Sequence, residues 1–334
     1  MTKRSKPFVL LALIIAMVIT QGLPIFAAKD NYPNKPIRLI IPYSPGGAQE
    51  TAVRQWMPYL EKELGVPLKV DCIPGANAII GNNVAAQSAP DGYTFVQMTL
   101  SDIPVQTLIY KAPFKADAFE IITNYISDPM VVLVHKDSPW NTLQDLITYA
   151  KQNPGKVTFG QSSLTATGSL TLYALEEAAG IDLNIISFGG GNQSRLALAG
   201  KHTDATFTGL FSSQNISEYV KVLAVGQEKN LWKKLTNNAP TINDALKIKI
   251  PNALDSISLF VPAGFAKQYP DRYKKFTKAF FKALENPDYK ANLKKLGDGR
   301  VMPKSVEESQ KLLQEHFGIY TRYQDLFKDQ QQAK

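Results

Sequence analysis

Short apolar, β-branched runs alternate with longer segments of helical spacing along most of the chain. Residues 37–42 read as a strand that ends at a Pro/Gly loop. From Gln49 onward, Val53, Trp56, Met57, Leu60 and Leu64 share one helical face, and Gly65 follows as a C-cap. Strand candidates lie at 68–73, 93–98 and 130–134. A second set begins with a helix at 142–151, closed by Pro154-Gly155. A strand at 156–160, a helix at 168–179 ended by Gly180, and a strand at 183–188 follow. That strand runs into Gly189-Gly190-Gly191 and a helix at 195–199. Strands at 204–208, 220–225 and 255–261 precede terminal helices at 271–285, 287–296 and 305–327.

Strands separated by helices predict an α/β protein of βαβ units with a mostly parallel sheet. No long linker divides the halves. The pattern therefore predicts two α/β domains joined by strands that cross between them, near 127–134 and 252–261, with the terminal helices returning to the first domain. Such an arrangement makes a cleft and a hinge together, and clefts between domains are preferred ligand sites.

The amino terminus differs from the rest. Lys3, Arg4 and Lys6 precede an unbroken apolar run at 8–19, and Ala27-Ala28 stand before Lys29-Asp30. A basic start, a short greasy core and small residues predict a signal peptide over residues 1–27, and hence export. The run is shorter than the roughly 20 residues that span a bilayer. Removing those 27 residues, which hold three basic groups and no acid, takes the formal charge from +8 to +5. That mild excess is scattered, which sets nucleic acid aside as a partner. The single cysteine, Cys72, allows neither an internal disulfide nor a thiolate metal site.

Two glycine loops carry the candidate chemistry. Pro42-Tyr43-Ser44-Pro45-Gly46-Gly47-Ala48-Gln49-Glu50 joins the first strand to the first helix, and Phe188-Gly189-Gly190-Gly191-Asn192-Gln193-Ser194 repeats the arrangement. Loops of this kind present backbone N–H groups beside a helix start, where an anion is favoured. A nucleotide site is excluded by inspection. Around Leu198-Ala199-Gly200-Lys201-His202-Thr203, Arg195 stands where a phosphate loop needs its first Gly, and His202 where it needs Ser or Thr. The three histidines, His135, His202 and His316, lack any metalloprotease context, and no nucleophile elbow is present. Each is expected at the surface or behind a site. No catalytic, metal or cofactor site is expected.

The ordered landmarks resemble the substrate-binding subunits of tripartite tricarboxylate transporters, the Bug family. Tyr32-Pro33-Asn34-Lys35-Pro36-Ile37-Arg38 matches the family's opening, and Ile41 to Glu50 with Arg54 its first strand and loop. Leu64-Gly65, Pro74-Gly75-Ala76, Ala89-Pro90-Asp91-Gly92-Tyr93-Thr94 and Ala178-Ala179-Gly180-Ile181-Asp182-Leu183 follow in order. The resemblance implies a two-domain periplasmic-binding-protein (Venus flytrap) fold with crossover strands and an interdomain cleft. Domain 1 would comprise 28–128 and 254–334, and domain 2 residues 129–253. It further implies a non-enzymatic monomer, without cofactor, in the periplasm or at the outer face of the cytoplasmic membrane. Its partners would be a small organic carboxylate and the membrane permease subunits. Presentation of the closed form to a receptor kinase, or an exported enzyme, are the alternatives.

Carried over by position, ligand contacts fall on Tyr43, Ser44, Gly46, Gly47, Ala48, Gln49 and Glu50, and on Ser101. From the second domain come Ser162, Ser163, Thr165 and Ala166, then Phe188, Gly189, Gly190, Gly191 and Asn192, and finally Thr208 with Gly209. The chain departs from the pattern at Ala48-Gln49-Glu50, where the family carries small hydroxyls and then Asp. Glu50, one methylene longer, is expected to reach into the cleft and bond a water or a ligand donor.

Overall fold

The computed structural model describes residues 30–46, 48–295 and 299–327. The leader expected over residues 1–27 and Gly47 of the first loop lie outside the described residues. Among the described residues no helix is long and apolar enough to cross a membrane.

Nine strands are present among them: β1 (Ile37–Ile41), β2 (Leu68–Cys72), β3 (Thr94–Met98), β4 (Phe119–His135), β5 (Thr158–Gln161), β6 (Asn184–Ser187), β7 (Ala205–Gly209), β8 (Val220–Val225) and β9 (Leu254–Pro262). The principal helices are α1 (Ala48–Leu64), α2 (Ile79–Ala86), α3 (Leu143–Gln152), α4 (Thr167–Ala179), α5 (Gly191–Ala199), α6 (Ile242–Leu246), α7 (Pro270–Leu284), α8 (Pro287–Lys295) and α9 (Val306–Tyr323). The strand order is β2-β1-β3-β9-β4-β7-β5-β6, with β8 also on β4.

The expectation of a mostly parallel sheet holds only in the two wings. β1 pairs in parallel with β2 and β3, and β5 with β6 and β7. At the centre β9 runs antiparallel to β3 and β4, and β4 antiparallel to β7 and β8. The reason is topological: strands that carry the chain out of one wing and back again must run in opposite directions. β4 meets β9 along Phe119–Pro129, and from Met130 onward it turns its pairing to β7 and β8. One 17-residue strand thus serves both wings.

Buried polar residues hold this crossing. Asn124 Nδ2 donates to Ser258 Oγ at 3.0 Å, and its Oδ1 accepts from Ser127 Oγ at 2.8 Å. The Asn124 N–H donates to Ser309 Oγ at 2.9 Å, which fixes α9 to β4. A capping box between Ser305 and Glu308 starts that helix, as one between Thr142 and Asp145 starts α3. The far end of α9 does not remain with the first wing. Tyr320 Oη donates to the Thr165 carbonyl at 2.9 Å, and Tyr323 Oη to Glu177 at 2.7 Å, so α9 also reaches the loop before α4 and α4 itself.

Two large apolar cores result. One gathers Trp56, Phe95, Tyr125, Phe276 and Phe280, and the other Val132, Trp140, Phe159 and Phe207. In the first, Trp56 Nε1 donates to Tyr125 Oη at 3.1 Å, and Tyr125 Oη donates to Gln97 Oε1. Gln97 Nε2 then donates to the Gln49 carbonyl at 2.7 Å and to Gln49 Oε1 at 3.0 Å. A buried polar chain therefore runs from the aromatic core to the first turn of α1.

Candidate functional site

Where the wings meet, the ends of several elements surround a cavity of about 250 Å³. The loop after β3 supplies Thr99 and Ser101, and the crossing strands supply Met130 and Asp255. Gln161 and Ser162 come from the end of β5, and Ala166, Thr167 and Gly168 from the start of α4. Gly191, Ser194 and Arg195 come from α5, and Phe207, Thr208 and Gly209 from the end of β7. Most of these are carboxyl ends of strands and amino ends of helices, the places where open α/β sheets bind ligands.

Both helix starts lack a side-chain cap: Ala166 before α4 and Gly190 before α5 offer none. Their first-turn N–H groups, unpartnered within any helix, carry the positive end of the helix dipole towards the cavity. Close approach is built in at Gly168, where a methyl would lie 2.5 Å from Gln161 Oε1 and 2.7 Å from Met130 Cε. Among the described residues two buried donors on cavity-lining side chains have no hydrogen-bond partner, Gln161 Nε2 and Arg195 Nε. Such groups are costly unless something fills the space beside them. The other end of Arg195 reaches Thr208 Oγ1 at 3.4 Å. Burial pulls the Arg195 guanidinium below its ordinary value, and the charges of Asp128 and Asp255 oppose that pull.

Of the residues expected as contacts, Ser101, Ser162, Ala166, Gly191, Thr208 and Gly209 line the cavity. Gly46 and Gly189 take left-handed conformations, with φ of 75° and 70°, and turn their loops tightly. Ser44 is exposed, Phe188 is half-buried, and Asn192 points outward to Asn215 at 3.3 Å. Ser163 and Thr165 turn to each other, with Thr165 Oγ1 3.4 Å from Tyr110 Oη. Ala48 begins α1, and Gln49 is taken up by the polar chain from the core. Tyr43 stands behind the wall. It donates to Asp102, and its Oη accepts from the Thr99 N–H at 3.2 Å. Burial, then the Asp102 charge, lift the Tyr43 hydroxyl well above its usual range. Burial likewise pushes Asp102 up to about 6, against the bonds donated by Tyr43 and Thr99.

Glu50 does not reach into the cavity as expected. Its carboxylate accepts from the Gly46 N–H at 2.8 Å and pairs with Arg54 at 2.7 Å. The extra methylene lets it fold back on its own loop, and the Gly46 N–H and Arg54 hold its pKa below the usual value. Cys72 lies beside it, half-buried, with Sγ 3.7 Å from Glu50 Oε2. Glu50→Gln is therefore expected to leave carboxylate affinity within about twofold of wild type, the usual scale for changes away from a site. Titration calorimetry checks it, and a tenfold loss would restore Glu50 to the site.

Sequence reasoning missed Gln161, Arg195 and Asp255. Gln161 falls just past the strand read at 156–160, Asp255 opens the strand read at 255–261, and Arg195 starts a short helix. His316 is buried in the packing of α9 and away from the cavity, and burial lowers its pKa.

Asp255 is ringed by protein yet exposed to the cavity, directly opposite Asp128 in the β4–β9 register. Asp128 is 2% exposed and accepts from the Phe211 N–H at 2.9 Å, the Ser212 N–H at 2.9 Å and Ser212 Oγ at 2.7 Å. Burial, then the Asp128 charge, push Asp255 up to about 6, opposed by Arg300. A folded pKa above the unfolded value of about 3.9 means that the associated stability is complete at low pH and lost as pH rises through about 6. Asp255→Asn is expected to raise the melting temperature at pH 7 and to change it little at pH 4. An equal shift at both values would contradict this reading.

The sequence model of the tripartite tricarboxylate transporter family receptor matches residues 52–325. The chain belongs to this family. The resemblance read from the ordered landmarks thus stands. Among curated relatives, the UPF0065 protein in the gbd 5' region of Cupriavidus necator is 31% identical over 299 residues, covering 87% of this chain and 88% of that protein. A UPF0065 protein of Bordetella pertussis is 33% identical over 210 residues, which are 63% of this chain and 65% of that protein, just under two thirds of its length.

Among solved structures, a TctC solute binding protein from Polaromonas superposes with a TM-score of 0.74 at 24% identity, covering 87% of this chain and 99% of the other. Rpa4515 of R. palustris with adipate gives 0.69 at 21%, covering 87% and 96%. MatC of Rhodopseudomonas palustris with bound malate gives 0.66 at 19%, covering 89% and 100%. These are likenesses of fold. This family member has the two-domain periplasmic-binding-protein architecture, with β4 and β9 as its crossover strands. Its family and structural neighbours are binding proteins.

Proposed function

We propose that the protein captures a small carboxylate in the cavity between its two lobes and delivers it to the membrane permease subunits of a tripartite transporter. One observation carries the reading: two uncapped helix starts, α4 and α5, meet at a cavity whose buried donors Gln161 Nε2 and Arg195 Nε have no partner among the described residues. N–H dipoles, an amide and a guanidinium together suit a carboxylate, and the guanidinium fork matches its two oxygens. No bond need be made or broken for this task.

In this reading the lobes are 28–128 with 254–334, and 129–253, and the far end of α9 bridges from the first to the second through Tyr320 and Tyr323. A ligand that touches both stabilises the closed form by its difference in affinity for the two states. The leader over 1–27 places the mature protein, a monomer, in the periplasm or at the outer face of the cytoplasmic membrane. A thermal-shift screen of di- and tricarboxylates, amino acids and neutral solutes tests the reading. A binder at 100 times its dissociation constant adds about 2.7 kcal/mol of stability. Shifts confined to carboxylate-bearing solutes are expected, and shifts from neutral solutes alone would overturn the assignment.

A further inference from the structure

We propose that the captured carboxylate also carries an ammonium group, and that Asp255 is the residue that selects for it. The inference rests on the capture reading above and adds the ligand's second functional group. The cavity has two chemically opposed parts, contributed by different elements. Arg195, Gln161 Nε2 and the starts of α4 and α5 favour negative charge, whereas Asp255, from the start of β9, brings a carboxylate to the same space.

Among the described residues no side chain pairs with the Asp255 carboxylate, which the Ser256 backbone N–H supports. Across the ladder stands Asp128, another acid, whose oxygens are taken by Phe211 and Ser212. Arg195 on α5 and Arg300 beyond α8 act on Asp255 through space, yet among the described residues it forms no ion pair. Burial and then the Asp128 charge raise the Asp255 pKa, and Arg300, the Ser256 N–H and Arg195 offset that rise only in part. A simple dicarboxylate entering here adds a further negative charge beside Asp128 and Asp255, and like charges at close range disfavour one another. A ligand with one carboxylate at Arg195 and an ammonium at Asp255 satisfies both parts and brings in its own counter-charge. The space, about 250 Å³, equals about eight waters, which suits a short-chain acid.

The test is calorimetric titration of the purified protein with succinate, malate and aspartate, which differ at one carbon in carrying hydrogen, hydroxyl or ammonium. Glutarate and glutamate repeat the comparison one carbon longer. Wild type is expected to bind the ammonium-bearing member of at least one length about tenfold or more tighter than its plain diacid, the scale of one charge-assisted contact. Asp255→Asn should remove that preference by weakening the amino acid and leaving the diacid unchanged or tighter. Plain diacids bound at least as tightly as their amino counterparts at both lengths would overturn the selection while leaving the capture reading intact. So would a variant that shifts every ligand equally. Absence of binding by every acid, with Arg195→Ala equally inert, would overturn both.

Discussion

Replacing Arg195 by alanine is expected to weaken carboxylate binding by about 30- to 100-fold, or about 2–3 kcal/mol, the scale of a hydrogen bond to a charged group in a partly buried site. The side chain sits in the first turns of α5 and lines the cavity, and among the described residues its buried Nε has no hydrogen-bond partner. The ligand-free variant should melt somewhat lower than wild type, because truncation removes a 3.4 Å approach to Thr208 Oγ1 and a positive charge that offsets Asp128 and Asp255. Arg195→Lys keeps the charge without the planar fork and should fall between wild type and alanine. Calorimetric affinities within about threefold of wild type for the alanine variant would move the carboxylate site elsewhere.

The largest stability effect is expected at Trp56. Trp56→Ala should lower the unfolding free energy by about 3–5 kcal/mol, the usual range for deleting a large buried aromatic. The indole is 1% exposed and packs edge-on against Phe280 at 5.0 Å and Tyr125 at 6.2 Å. It also begins the polar chain through Tyr125 and Gln97 to Gln49, so its loss loosens the first turn of α1. Trp56→Phe keeps a ring but leaves the Tyr125 hydroxyl without that donor, and should cost about 1–2 kcal/mol beyond any change in packing. Urea midpoints at constant slope measure both. A cost below about 1 kcal/mol for the alanine variant would mean that the core collapses around the gap.

Much of the architecture is written in local pattern. The alternation of apolar runs and amphipathic stretches places most strands and helices within a few residues, because burial on one face imposes a period. α2 escaped, since Ile79–Ala86 contains Gly81, Asn82 and Asn83 and carries no amphipathic signature. β4 was read only as a strand at 130–134 within a crossing near 127–134. Its first half interrupts the apolar pattern with Thr123, Asn124, Ser127 and Asp128, which are buried because partners distant in sequence satisfy them. The same limit governs the site. Glycine loops advertise themselves through composition, whereas the importance of Gln161, Arg195 and Asp255 lies in donors and charges left unmatched by neighbours that only the fold brings near. Glu50 shows the converse, a residue conspicuous by its departure from a pattern whose extra length is spent on its own loop.

The position of β9 between β3 and β4 also constrains when the molecule can form. During synthesis, β3 and β4 emerge more than a hundred residues before the strand that joins them. A nascent chain that ends before Leu254 has two open strand edges and no means of closing its first sheet. Contacts of such sequence separation form slowly, because the long intervening loop must be closed first. The first sheet is therefore expected to close only once about three quarters of the polypeptide exists. A chain that cannot fold early remains threadable.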